Sequence, residues 1–345
     1  MNKERRPIFQ PNELSNDAVV SMRTRIITAL VGIAIVLPCA LFGDWAFAVI
    51  ASIALIVAVI EVVRCAKRKY SKLLYIAAFI LAFLVLIWNI IRQIPNMDAN
   101  WRIFDAYNTL YISATILFVG ISLSALLIII DKGFTIIDAC FIFAIVFLVA
   151  LGFQSAMVLR YYPVWVYHQE LKEIGQTVTY FNLYDNLESS MLFCWVGVGA
   201  CLNDAFAYFV GVFFGKHKMN ERISPKKTWE GFFGGIILTS LVLFAWAVIL
   251  DLASHGEHVV LKGLLDLEHW YHILILSYAI PSISTVGDLV FSSIKRYYGI
   301  KDFSNVLPGH GGILDRMDSM IFAFTTVAIY VCIFTQQSGG GINLP

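Results

Sequence analysis

Residues 136–158 read IIDACFIFAIVFLVALGFQSAMV. Apart from Asp138, Gln154 and Ser155 the run carries no strongly polar side chain, and at about 1.5 Å per residue it spans roughly 30 Å of hydrocarbon as a helix. The apolar positions are continuous rather than alternating, which excludes a barrel strand. Eight further stretches have the same character: Ile26–Gly43, Ala46–Val63, Leu73–Ile91, Leu110–Ile130, Met191–Phe214, Gly231–Leu250, Tyr271–Ile294 and Ile313–Phe334. The expected fold is an all-α integral membrane protein, a polytopic bundle of about nine transmembrane helices. Composition agrees. Of 345 residues 59% are hydrophobic and 14% charged, with a mean hydropathy of +0.75, where soluble domains hold about 25% charged residues.

The 25 Lys and Arg against 24 Asp and Glu leave a net charge of +1, which excludes a general nucleic-acid binder. The six cysteines form no C-x-x-C pair and lie in or beside apolar runs, so they read as small buried hydrophobes without disulfide or zinc chemistry. The first apolar run follows a polar segment and precedes no small-residue cleavage site, so it reads as a span and not as a removable leader.

Basic residues set the orientation. They gather before the first run (Lys3, Arg5, Arg6, Arg23, Arg25) and between the second and third (Arg64, Lys67, Arg68, Lys69, Lys72). They gather again between the sixth and seventh (Lys216, Lys218, Arg222, Lys226, Lys227) and the eighth and ninth (Lys295, Arg296, Lys301, Arg316). The alternate connections are neutral or acidic. Nine spans then place the N-terminus in the cytoplasm and the C-terminus outside. The organisation expected is a cytoplasmic tail at 1–25, five helices within 26–158 and an extracytoplasmic loop at 159–190. Four chemistry-bearing helices follow within 191–335, with a flexible tail at 336–345.

Three polar clusters fall at the inner ends of spans. Asn203-Asp204 lies inside the sixth run, where an ionisable side chain is costly and marks either function or a helix-orienting ion pair. Ser224-Pro225-Lys226-Lys227-Thr228-Trp229-Glu230-Gly231 reads as a helix start, with Ser224 as N-cap and Pro225 as first helical residue. Lysines there oppose the helix dipole unless an anion is bound, or else they serve topology alone. The third cluster begins at Pro281 and runs through Asp288, Lys295-Arg296 and Lys301-Asp302 to Gly309-His310-Gly311-Gly312 and Asp315-Arg316-Met317-Asp318. Asp315 and Asp318 share a helix face. Carboxylates crowded with bases suit a hard cation and phosphate oxygens, the furniture of phosphoryl or nucleotidyl transfer; a salt-bridge network is the structural alternative.

The third cluster resembles the signature of the phosphatidate cytidylyltransferase (CDP-diacylglycerol synthase) family: S-x-hydrophobic-K-R, four residues, K-D, a short spacer, then P-x-H-G-G-x-x-D-R-x-D. It is matched without a break from Ser292 through Asp318. Asn203-Asp204-x-x-Ala207-Tyr208 and the Ser224–Gly231 element are similar to that family's in the same order, and together they occupy the C-terminal two-fifths of the chain. The resemblance implies that phosphatidic acid attacks the α-phosphorus of CTP, giving CDP-diacylglycerol and pyrophosphate. It implies Asp288 and Asp315 as ligands of Mg²⁺, alone or with a second cation, and Lys295, Arg296 and Asp318 beside them as catalytic groups. Substrate contacts would come from Asn203, Asp204, Ser224, Lys226, Lys227, Lys301, Asp302, His310, Gly311, Gly312 and Arg316. His310 would touch phosphate or organise its loop; Asp318 would ligate or fix Arg316. A multi-pass protein of a bacterial cell membrane, with its site at the cytoplasmic face and a homodimer as a possible assembly, completes the expectation. The alternatives are a different membrane phosphotransferase, whose D-x-x-D-G block is absent here, and a transporter, which would show interruptions in two related halves.

Overall fold

The computed structural model describes residues 16–66, 68, 70–92, 106–131, 134–173, 183–253, 261 and 264–336. Among them are nine helices: α1 (Asn16–Phe42), α2 (Asp44–Cys65), α3 (Lys72–Arg92), α4 (Ala106–Ile130), α5 (Ile136–Glu173), α6 (Leu183–Phe214), α7 (Trp229–Ala253), α8 (Trp270–Tyr297) and α9 (Leu314–Gln336). Two short strands, β1 (Lys218–Asn220) and β2 (Ser224–Thr228), pair antiparallel between α6 and α7. The chain is an all-α polytopic membrane protein. Six helices (α2 and α5–α9) are long and apolar enough to cross a membrane, while α1, α3 and α4 carry the shorter apolar segments Ile27–Phe42, Lys72–Leu86 and Phe118–Ile130.

Helix limits differ from hydropathy limits. α1 begins at Asn16, so the expected 1–25 tail is helical from there; residues 1–15 lie outside the described residues. The expected loop at 159–190 is helical at both sides, with α5 continuing past Pro163 to Glu173 and α6 starting at Leu183. Hydropathy marks where a side chain leaves hydrocarbon, whereas backbone hydrogen bonding continues as long as propensity allows. Residues 174–182 and the tail from 337 lie outside the described residues.

Both faces of each helix are apolar because lipid and core are equally so, and the interior is marked by small residues instead. The buried cores are rich in alanine: Ala58, Ala77, Ala78, Ala82 and Ala150 among α2, α3 and α5, and Ala200, Ala247 and Ala323 among α6, α7 and α9. α6 and α7 approach backbone to backbone, where a Cβ on Gly235 would lie 2.9 Å from Ala207 Cβ. α5 and α9 approach at Gly152, whose added Cβ would meet Ile321 at 2.7–2.9 Å. The cysteines depart from expectation. All six are thiols, but only Cys65 is buried, and Cys140, Cys201 and Cys332 face outward, where lipid accepts a thiol as readily as a core does.

Polar anchors tie the helix ends. Thr135 and Asp138 cap α5 reciprocally: the Asp138 N–H donates to Thr135 Oγ1 at 3.3 Å and Thr135 N–H to Asp138 Oδ2 at 3.2 Å, a capping box built with aspartate. Arg68 Nη1 and Tyr70 Oη also donate to Asp138, at 2.8 and 3.1 Å. Burial and the Asp138 carboxylate push the Tyr70 hydroxyl well above its ordinary pKa. Towards the opposite end of α5, fully buried Arg160 donates to the Ala40 and Leu41 carbonyls that end α1.

A Gly152→Val chain therefore loses the α5–α9 close approach, and overpacking of this kind costs about 1–3 kcal/mol. We expect a lower thermal midpoint in detergent, whereas Gly32→Ala, which meets nothing within 4 Å, leaves the midpoint unchanged or raises it.

Candidate active site

The loop between α8 and α9 is shaped by backbone chemistry before any charge is considered. α8 ends in a Schellman motif: Gly299 has φ +62°, its N–H donates to Arg296 O at 3.1 Å, and Ile300 N–H donates to Lys295 O at 2.9 Å, which satisfies carbonyls left free at the helix end. The chain then turns through Leu307–Gly311, with Leu307 N–H to Gly311 O and His310 N–H to Leu307 O, both 2.9 Å. Gly311 sits at φ +84°, a conformation that a side chain would strain. Thr28 Oγ1 of α1 donates to Pro308 O at 2.9 Å and holds the turn against the bundle.

Charge is arranged on this frame. Asp315, in the first turn of α9, accepts Phe303 N–H at 2.8 Å and Gly312 N–H at 2.9 Å on Oδ2, and Lys295 Nζ at 3.0 Å on Oδ1. The same Nζ reaches Asp318 Oδ2 at 3.4 Å. Asp315 and Asp318 are each 8% exposed, and Lys295 is the shared counter-charge of both. Asp288 pairs with Lys227 and accepts Ser292 Oγ at 3.1 Å. Asp204 accepts Ser319 Oγ at 3.2 Å, and Asp288 lies within electrostatic reach of both Asp204 and Asp318. Asn203, 1% exposed, donates to Thr285 Oγ1 at 2.9 Å. Residues from α6, β2, α8 and α9 thus meet at one end of the bundle.

The helix start expected at Ser224-Pro225 is instead strand β2, and α7 begins four residues later. Thr228 is its N-cap, accepting Gly231 N–H on Oγ1 at 3.2 Å. Asn220 Oδ1 takes the N–H groups of Arg222 and Ile223, both at 3.1 Å, and the resulting tight turn pairs β1 with β2. Lys226 and Lys227 therefore stand on a strand and not in a first helical turn. The side chains separate: Lys226 is exposed, while Lys227 turns in to Asp288. Pro281 lies within an unbroken α8, where Thr285 Oγ1 donates a hydrogen bond to its carbonyl at 3.1 Å.

The remaining motif residues take distinct positions. Arg296 Nε donates to Ile223 O at 3.2 Å and latches the hairpin to α8. Arg316 Nε donates to His310 O at 3.1 Å, so Arg316 braces the glycine turn while Asp318 pairs with Lys295. His310 Nδ1 is buried with no hydrogen-bond partner among the described residues. Ser224 is half-buried on β2, and Lys301 and Asp302 are exposed at the rim, outside the carboxylate cluster.

One residue was missed in the sequence. Glu61 of α2, 2% exposed, accepts Ser304 Oγ at 2.6 Å, Ile313 N–H at 3.0 Å and Leu314 N–H at 2.8 Å. Its position beside Gly312 explains that glycine, since an added Cβ would lie 2.5–2.7 Å from the Glu61 carboxylate. The available signal was a lone acid within the run Ala46–Val63, which is a functional candidate on the same physical ground as Asp204.

A hard divalent ion suits this donor set in kind. Four aspartates supply only oxygen, and two ammoniums offset part of their charge. Among the described residues no three His, Cys, Asp or Glu side chains form a ready metal cage, and Lys227 and Lys295 pair with the carboxylates. Of the roughly four lone-pair directions of a carboxylate, Asp315 has three engaged.

A sequence profile of the cytidylyltransferase family matches residues 23–334. A protein named phosphatidate cytidylyltransferase from Staphylococcus epidermidis is 29% identical over 309 residues, covering 89% of this chain and 98% of its own length. The Bacillus subtilis protein of that name is 38% identical over 164 residues, 47% of this chain and 56% of its own length. The one from Staphylococcus aureus is 27% identical over 309 residues, with 89% and 98% covered.

Removing one partner of a buried ion pair costs about 3–5 kcal/mol, since the other charge is left without compensation. Lys295→Met strands two carboxylates, so its thermal midpoint in detergent should fall well below that of Arg296→Met, whose side chain is exposed and bonds one carbonyl. Equal midpoints would show that Lys295 is not their shared counter-charge.

Proposed function

The chain belongs to the cytidylyltransferase family, and from that premise we propose that it joins CTP to phosphatidic acid at a cation-assisted site on the cytoplasmic face of a bacterial cell membrane. A phosphate oxygen of phosphatidic acid attacks the α-phosphorus of CTP. The bond from that phosphorus to the bridging oxygen of the β-phosphate breaks, and CDP-diacylglycerol and pyrophosphate leave. The observation that carries this reading is the meeting of Lys227 with Asp288 and of Lys295 with Asp315 and Asp318. With the hydrogen bond from Asn203 to Thr285, these contacts unite three motifs that are far apart in the chain.

Two polyanions must approach, so the chief task is charge neutralisation and not proton transfer. Lys226, Arg296, Lys301 and Arg316 are exposed around the cluster and can take phosphate oxygens from water. Lys227 and Lys295, held by aspartates, are fixed where incoming phosphate would exchange partners with them. Gly311 and Gly312 bring backbone close to the same place, and His310 serves the turn through its carbonyl bond to Arg316. Asp288, with the remaining lone pair of Asp315, would hold Mg²⁺, and Asp204 and Asp318 add to the negative field. When bound, the ion would offset charge on the phosphates and the departing pyrophosphate. The basic residues around the site favour the cytoplasmic side, and the outward Trp229 and Phe233 of α7 suit the level of the lipid headgroups, where acyl chains stay in the bilayer while CTP arrives from water.

Purified protein given labelled CTP, phosphatidic acid and Mg²⁺ should form a labelled liponucleotide, and chelation should stop it. Asp288→Asn and Asp315→Asn should each retain no more than about one hundredth of the turnover, two decades corresponding to about 2.7 kcal/mol of lost transition-state stabilisation. Near-normal rates in either would overturn its role as ligand.

The strand geometry also separates the two lysines. Initial rates over CTP and phosphatidic acid concentrations should give about a tenfold lower kcat for Lys227→Ala, which leaves Asp288 unpaired. Lys226→Ala should raise KM by only about two- to fivefold, as expected for one exposed charge worth under about 1 kcal/mol. The reverse ranking would contradict the assignment.

A further inference from the structure

Glu61 lies outside every motif quoted above, in a helix that is otherwise almost wholly apolar, yet it is buried at 2% exposure. A carboxylate in that setting is costly unless several donors satisfy it. Among the described residues its partners are the Ser304 hydroxyl and the Ile313 and Leu314 N–H groups, all neutral donors from one segment. Ile313 and Leu314 open α9, where the first N–H groups have no acceptor within the helix, and a negative charge there is also stabilised by the positive end of the helix dipole. The next N–H back, that of Gly312, goes to Asp315 Oδ2 at 2.9 Å. Two carboxylates, one from α2 and one from α9, therefore share three consecutive backbone donors.

This division has a consequence for Asp315. Its Oδ1 holds Lys295 and its Oδ2 holds the glycine turn, so the orientation of that carboxylate depends on where α9 begins. Glu61 sets that start. Ser304, on the far side of the loop, is drawn to the same oxygen that accepts Ile313 N–H, so Glu61 closes the segment 304–313 from both ends.

We propose that Glu61 is a positioning residue for the cytidylyl transfer. It touches no substrate, and through the N-terminus of α9 it holds Asp315 and Lys295 in register with Asp288. The proposal rests on the reaction proposed above. It also gives the N-terminal helices a role beyond filling the bilayer, as the wall against which the reacting loop is fastened.

The test uses the full chain in lipid–detergent micelles, with turnover expressed per CTP-binding site measured by equilibrium binding, so that unfolded protein does not count. Glu61→Gln keeps the shape but places an NH₂ group against a backbone N–H. Losing a charge-assisted bond of this kind should lower kcat per site about ten- to a hundredfold, with KM for both substrates within about threefold. Ser304→Ala should lower it about three- to tenfold, and the double variant should fall by less than the product of the two, because both act through one oxygen. Per-site turnover of Glu61→Gln within twofold of wild type, or strictly multiplicative losses, overturns the proposal. If Glu61→Gln does not accumulate as folded protein, Ser304→Ala decides alone: the stated loss supports the proposal and unchanged turnover overturns it. If wild-type protein forms no liponucleotide, the proposed reaction fails, and amide exchange in 303–314 judges Glu61 separately. Faster exchange there in Glu61→Gln supports the positioning role, and unchanged exchange overturns it.

Discussion

A charge on a helix surrounded by hydrocarbon must find its counter-charge within the protein, and the polar end of this bundle is organised by that constraint. Lys295 stands between Asp315 and Asp318, and Lys227 reaches Asp288. Neither lysine can satisfy its aspartate unless α8 and α9 pack side by side and the β1–β2 hairpin folds back across α8. The pairing is therefore a folding condition as well as the core of the proposed site. Breaking a desolvated pair is far more costly than breaking an exposed one, so the contacts that assemble the site also hold the helices in register.

Helix termini supply the second level of organisation. Gly299 reverses the chain at the end of α8, Thr228 starts α7, and Glu61 and Asp315 divide the first N–H groups of α9. Because those groups are already accepted by carboxylates, the start of α9 is not a free anion cradle. In the proposed reaction, negative phosphate would then be met by side chains: Lys226, Arg296, Lys301 and Arg316 at the rim, and the aspartate-held lysines within. At the opposite end Arg160 closes α1 and the polar contacts of His272 with Tyr330 link α8 to α9, so the site faces one way from a bundle pinned at both ends.

Residues three or four apart on a helix announce themselves, and Asp315 with Asp318 was legible as a polar face. Glycines of the turn and the order of the three motifs were legible too. Ser224-Pro225 misled, because a serine before a proline carries the local signature of a helix start. The competing structure is a hairpin closed by Asn220 and latched by Arg296, and both partners lie away from the dipeptide. Glu61 was visible as an isolated acid, but nothing in its neighbours marked its destination.

The sequence by itself determined the all-helical membrane architecture, since each apolar run must satisfy its own backbone and only a helix does so within one segment. It also determined which residue types gather near the C-terminus. Tertiary structure alone decided which lysine serves which aspartate, where α7 begins, and that α2 fastens the loop between α8 and α9. These depend on groups brought together from 20 to 253 residues apart, where Coulomb attraction and hydrogen bonding act over a few ångströms of space and take no account of separation along the chain.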